Sequence, residues 1–233
     1  VERACQLPAL RCILARMPDL FTSHALRTPC AALLLTLLAA CAPTKFETQA
    51  DIPQPLIEKI PVVIGVHMPL EFTAKVYEEK REGGGGEYSI GLGKAQSAGF
   101  MRILNAMFNR VVPVASPRDA AALDPEIRGV LEPVLEDYAF VTPADSGTQT
   151  YAASLRYTIR LYSPLGELAE SWSFTGYGSQ PASQFPGKGD EALAAATRLA
   201  MRDAGAKLAA EFHEQAIARG LLPSMQQGAP QEV

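Results

Sequence analysis

Tyr151-Ala152-Ala153-Ser154-Leu155-Arg156-Tyr157-Thr158-Ile159-Arg160-Leu161-Tyr162-Ser163-Pro164-Leu165-Gly166 is the stretch that decides the fold class of this chain. Tyr151, Ala153, Leu155, Tyr157, Ile159 and Leu161 fall on every second position, with Ser154, Arg156, Thr158 and Arg160 between them. That is the period of a strand with one buried and one solvated face. Ser163-Pro164-Leu165-Gly166 places proline second and glycine fourth, the pattern of a type I turn. Alternation resumes at Leu168, Trp172 and Phe174, so the segment predicts an antiparallel hairpin.

Working outward, Ile127 to Thr142 is apolar and β-prone, and its alternation changes phase around Pro133, where a bulge or an edge position is expected. Ile60 to Met68 is almost continuously apolar and β-branched, which predicts a central strand covered on both faces. Leu92, Ala95, Gly99, Phe100, Ile103, Leu104, Met107 and Phe108 recur at three- and four-residue steps, so Leu92 to Asn109 reads as an amphipathic helix. A short strand, Val111 to Val114, follows, and the order strand, excursion, helix, strand suits a right-handed crossover. The excursion holds two β-prone flanks, Phe72 to Tyr77 and Glu87 to Ile90, around the charged run Glu78 to Glu82 and the glycines Gly83 to Gly86. It predicts a hairpin with a loose tip, and Glu78 to Glu87 reads as a mobile projection, either a tolerated loop or a partner-binding one.

After the glycine- and proline-rich loop Pro181 to Gly189, Asp190 is placed to cap a helix from Glu191 to Arg219 that stops at Gly220. Its stripe is Leu193, Ala196, Ala200, Ala204, Leu208 and Phe212, and the alanines permit close packing on a sheet. The expected fold is α+β, a two-layer α/β sandwich with a mixed or antiparallel sheet of about five to six strands and two main helices on one face.

The N-terminal part carries a different signal. Ala31 to Ala40 is an uncharged apolar run of ten residues that ends in Leu38-Ala39-Ala40-Cys41. It is too short to cross a hydrocarbon core of roughly 30 Å as a helix, and it fits the apolar region of an export signal with small residues at the cleavage site. Residues 1–40 are expected to be a signal peptide. Met17 is the expected start, because it leaves a signal of ordinary length, with Val1 to Arg16 as an artefact of the gene assignment. Residues 41–58, with Pro43, Pro53 and Pro55 among aperiodic polar residues, read as a lipidated tether; 59–220 as a single domain; and 221–233 as a flexible tail.

All four cysteines, Cys5, Cys12, Cys30 and Cys41, lie in the first 41 residues. Cleavage before Cys41 leaves that cysteine alone, so a disulfide, a thiolate nucleophile and a cysteine-based metal site are excluded. The segment after residue 40 has 23 acidic and 17 basic residues, a net charge of −6. An acidic chain without a basic block argues against nucleic acid as a partner.

Tests for chemistry return mostly failed patterns. Gly91-Leu92-Gly93-Lys94 suggests a phosphate loop, but Tyr88 and Ala95 stand where a glycine and a hydroxyl residue are needed, and Gln96 breaks the dinucleotide pattern. Gly91 and Gly93 read as a strand-to-helix turn, and no nucleotide partner is expected. His213-Glu214 begins a zinc-protease motif that ends at Ile217 in place of histidine. His67, at a strand end, is the better placed of the two histidines after residue 40 for catalysis, against the reading of a histidine satisfied at the edge of the core. Glu132, Glu136 and Asp137 lie in or beside a strand, but adjacent strand residues point to opposite faces, so Glu136 and Asp137 do not form a pair. Tyr138, Phe140, Trp172, Phe174 and Tyr177 read as core and rim. No catalytic residue, cofactor or metal ligand is expected, and Cys41 is the one site residue.

Residues 34–41 resemble the bacterial lipoprotein signal, with Leu38-Ala39-Ala40-Cys41 as its lipobox. The resemblance implies that the Cys41 thiol takes a diacylglyceryl group, that cleavage falls before it, and that the new amino terminus is acylated. Ala42 in place of an aspartate resembles the class sorted to the outer membrane. The blocks Ile64-Gly65-Val66, Gly91-Leu92-Gly93-Lys94-Ala95 and Met107-Phe108-Asn109-Arg110-Val111-Val112 are similar in layout to small envelope lipoproteins: the lipopolysaccharide-assembly lipoprotein, the auxiliary lipoproteins of ABC-type lipid transport, and uncharacterised outer-membrane lipoproteins. The resemblance implies a non-enzymatic, periplasm-facing accessory or binding component of an outer-membrane assembly or transport process. Its partners would be the membrane, through the lipid, and an envelope protein. Two alternatives stay open: a module that cups a lipid or other apolar ligand between helix and sheet, marked by an exposed apolar groove, and a membrane-proximal hydrolase, marked by a buried polar cluster with a perturbed pKa around His67.

Overall fold

The computed structural model describes residues 44–49, 58–82 and 86–218, all within one compact unit, 43–233. The signal segment with Met17, the lipidation position Cys41, Arg219, Gly220 and the tail 221–233 lie outside the described residues. The strands are β1 (Thr44–Glu47), β2 (Ile60–Val66), β3 (Val76–Lys80), β4 (Glu87–Gly91), β5 (Phe108–Pro113), β6 (Ile127–Val141), β7 (Thr150–Tyr162) and β8 (Leu168–Pro181). The helices are α1 (Leu70–Thr73), α2 (Gly93–Met107), α3 (Ala120–Leu123), α4 (Pro143–Ser146) and α5 (Gly189–Ala218). The class is α+β. Five strands in the order β5-β2-β6-β7-β8 form a mixed sheet, with β2 parallel to β5 and β6, and β6, β7 and β8 antiparallel in series.

The β7–β8 hairpin forms as its alternation dictates. Gly166 takes φ +83°, and its N–H donates to the Ser163 carbonyl at 2.9 Å, closing the turn. Leu155, Tyr157, Ile159, Leu161, Trp172 and Phe174 are buried on the face that α2 and α5 cover. Phe100 of α2 meets Tyr157 edge-on at 5.5 Å, and Phe212 of α5 lies 5.7 Å from Trp172. The predicted stripe of α5 is buried throughout, from Leu193 to Phe212. Its alanines meet glycines: a Cβ at Gly178 would stand 2.1 Å from the Ala196 carbonyl oxygen, and one at Gly176 2.1 Å from that of Ala200. Helix and strand thus approach backbone to backbone.

Three expectations need correction. β2 is second in the sheet and not central, although it has neighbours on both sides. The bulge in β6 falls at Glu136, between Leu135 and Asp137, and not at Pro133; it carries burial from the odd positions Leu131 and Pro133 to the even positions Tyr138 and Phe140. Pro133 is tolerated because β2 stops short of it: the last bond from that side runs from the His67 N–H to the Leu131 carbonyl, so the missing proline N–H faces a local edge. Third, β3 and β4 do not join the main sheet. They form a separate three-stranded sheet, β1-β4-β3, with β1 parallel to β4.

β1 arises inside the stretch read as a tether. Lys45 and Glu47 are exposed and Phe46 packs on the core, a half-buried strand too short for its period to stand out. Among the described residues no helix is long and apolar enough to cross a membrane.

Candidate functional site

Three side-chain groupings outside the apolar core bear on function. The first surrounds His67, just after β2. Its Nδ1 lies 2.7 Å from Oε2 of Glu132 on β6, while Arg160 Nη1 and Tyr162 OH of β7 donate to Glu132 Oε1 at 3.1 and 3.2 Å. The His67 side chain is 22% exposed and that of Glu132 only 9%. Burial and the neighbouring Glu132 carboxylate raise the Tyr162 pKa above the ordinary phenol value, so this hydroxyl serves as a donor at neutral pH and not as a nucleophile. A histidine oriented by a carboxylate is two-thirds of a hydrolytic triad. Here both carboxylate oxygens are engaged, and among the described residues no hydroxyl is hydrogen-bonded to the histidine's other ring nitrogen. The cluster ties β2, β6 and β7 together at one end of the sheet. Glu136 and Asp137 stand apart from it, exposed at the bulge.

The second grouping centres on Arg81, which the sequence reading placed in a mobile projection. Glu78, Glu79 and Lys80 instead belong to β3, Gly83 to Gly85 lie outside the described residues, and the Arg81 side chain is 15% exposed. Its Nε donates to Glu79 Oε1 at 2.7 Å, Nη1 to Asp145 Oδ2, and Nη2 to the Phe140 carbonyl at 3.3 Å. The guanidinium carbon stands 4.2 Å from the Phe140 ring centre and 5.1 Å from that of Tyr88. Tyr77 OH donates to Glu79 Oε2 at 2.8 Å, and burial with this neighbour pushes its pKa up to about 12. Asp145 also accepts from the N–H and hydroxyl of Thr142 at 2.7 and 2.8 Å, completing the cap of α4. The hydrogen bond from Arg81 holds the Glu79 carboxyl below its ordinary range, and the Thr142 N–H with Arg81 does the same for Asp145. This clasp fastens the small sheet to the end of β6.

The third lies along the edge strand β8. Lys207 Nζ donates to the Thr175 carbonyl at 2.6 Å and pairs with Asp203 at 2.9 Å, and Asp203 Oδ2 accepts from the Tyr177 N–H at 2.9 Å. Two outward-facing backbone groups of the edge are thereby covered from α5. Beside them is an open, mainly apolar groove of about 590 Å³ between the β8 edge and the flank of α5, lined by Ala152, Tyr177, Gly178, Leu199, Arg202 and Ala206. Tyr177 is 64% exposed there, whereas Tyr138, Phe140, Trp172 and Phe174 are core. Its walls are apolar, and the exposed Arg202 and the carboxylate of Asp203 both line it, so its polar side carries charge of both signs.

The Gly91–Gly93 segment is the expected strand-to-helix turn: a Cβ at Gly93 would stand 2.2 Å from the Thr73 carbonyl oxygen, so close packing accounts for the glycine. The His213 side chain lies outside the described residues, and among those residues no group of three or more histidine or acidic side chains is placed to hold a metal.

No protein-family profile matches the chain, and no curated protein resembles it in sequence. Solved structures match it in three dimensions. Protein XCC0632 from Xanthomonas campestris, of family DUF330, is 13% identical and matches over 76% of this chain and 98% of its own, with a TM-score of 0.50. This chain shares its fold. A minor lipoprotein from Acinetobacter baumannii is 10% identical, over 71% of this chain and 97% of that one, with a TM-score of 0.42.

Proposed function

We propose that this chain is a lipid-anchored, non-enzymatic lipoprotein of the bacterial envelope, facing the periplasm from the outer membrane, and an accessory or binding component of an assembly or transport process there. The observation that carries the reading is Leu38-Ala39-Ala40-Cys41 behind an uncharged apolar run, with no cysteine after it. Two or three acyl chains on Cys41 give attachment that salt does not reverse. Intact-mass analysis of the protein from membranes should find Cys41 as the modified amino terminus, and Cys41→Ala should leave an uncleaved precursor. An unmodified terminus elsewhere refutes the reading. Affinity capture from detergent-solubilised membranes then identifies the partner.

The groove favours a second reading, that the domain also holds an apolar ligand between helix and sheet. A pyrene-labelled fatty acid should bind saturably, and Leu199→Glu, which places a charge in the apolar lining, should abolish that binding. Non-saturable uptake, equal in both proteins, rejects it.

A further inference from the structure

We infer that the end of the domain bearing the β3–β4 hairpin, the β6–β7 connection and the β8–α5 connection rests directly on the bilayer surface, held there by a covalent link too short to lift it. The inference builds on the lipid at Cys41. Only Ala42 and Pro43 separate that residue from Thr44, the first residue of β1. Three Cα steps span at most about 11 Å at full extension. A free tether of some seventeen residues would have reached roughly 20 to 25 Å. Cys41 must sit where its acyl chains enter the hydrocarbon, and the interfacial layer on each side of the core is itself about 5 to 8 Å thick. Thr44 therefore stands at the headgroups or just above them. The aperiodic, proline-containing stretch belongs between β1 and β2, where it cannot lengthen the anchor.

Strand pairing then orients the domain. Thr44 is level with Tyr88 on β4, and Tyr88 with Glu79 on β3, so the Lys80 and Glu87 end of the hairpin is the membrane end. Arg81 ties that end to Asp145 in the β6–β7 connection, and Thr150 pairs with Pro181, which brings the β8–α5 connection alongside. Arg81 is paired with Glu79 and Asp145 and Lys188 with Glu191, while the exposed Glu82, Glu87 and Asp190 leave this end net acidic, so the short link, and not attraction to headgroups, holds it down. The 13 residues of β7 carry the chain about 40 Å from this end to the Leu165 turn.

The mature chain has no cysteine besides Cys41, so a single introduced thiol labels cleanly. Lipidated protein carrying a fluorophore at Glu82→Cys or at Leu165→Cys, both exposed positions, is reconstituted in phosphatidylethanolamine–phosphatidylglycerol vesicles with a nitroxide on the headgroups. The label at 82 should lose most of its emission and the label at 165 none. A flexible glycine–serine insertion between Pro43 and Thr44 should restore the emission at 82 while the protein still floats with the vesicles. Flotation without quenching at 82, equal quenching at both sites, or quenching that survives the insertion overturns the inference. Failure to float, with no lipid in the intact mass, rejects the anchor itself and removes the basis of the inference.

Discussion

Under α5, the β7–β8 hairpin is held by buried area and by the absence of side chains: alanines meet glycines, and Trp172 and Phe174 fill the space beside them. In the small β1-β4-β3 sheet one guanidinium, two carboxylates and a set of aromatic rings make the tie to the end of β6 and to α4. Tyr77 and Tyr88 lie edge-on to Tyr138 and Phe140 at 4.9 and 4.7 Å, so rings and charge add to the contact that buried Ile90 and half-buried Phe46 make with the core. The first region should fail only when its close approach is blocked or its core emptied, and then globally. The second should open locally, and by acid as well as by mutation.

The most damaging change should be Gly178→Val. Its Cβ would collide with the backbone of α5, a clash no rotamer relieves, and a cost of about 5 kcal/mol or more is expected, read as loss of cooperative unfolding in circular dichroism. Trp172→Ala should follow at about 3 to 5 kcal/mol by urea unfolding, since it empties the space between β8 and Phe212. A loss under about 1 kcal/mol would mean that the indole is not core. Arg81→Ala should cost about 2 kcal/mol, from the lost ring contacts and from the hydrogen bonds to Glu79 and Asp145.

The smallest effect is in pH. Glu79 and Asp145 titrate below their unfolded values, so their contribution is complete above the ordinary carboxylate range and is lost as pH falls through the lowered folded values. Melting temperature should therefore drop in acid, more steeply for the native chain than for Arg81→Ala, which has lost one of the donors that hold both carboxylates down. Equal slopes would remove Arg81 from the account.

The first region was legible because β7 alternates strictly from Ala153 to Leu161 and the turn carries its own residues. The amphipathic period of α2 and the buried stripe of α5 were equally plain. β1 was hidden because four residues give no period, and the prolines downstream resemble a linker. Arg81 was misread because its partners beyond Glu79, Phe140 and Asp145, lie 59 and 64 residues away, and a run of charges beside glycines looks solvated until the rings of Tyr88 and Phe140 close over it. Glu132 was recognised as a strand carboxylate, yet its meeting with His67, 65 residues distant, needs the β2–β6 pairing and the end of β2 to be known. The edge cover from Asp203 and Lys207 reads along the helix as an ordinary ion pair four residues apart; only the exposed carbonyl and N–H of β8 give it meaning.

Amide hydrogen exchange on the native chain and on Arg81→Ala tests most directly whether the two regions are separate units. The substitution should strip protection from β1, β3 and β4 while β7, β8 and α5 keep theirs. Equal loss in the β7–β8 hairpin, or unchanged protection in the small sheet, would contradict that separation.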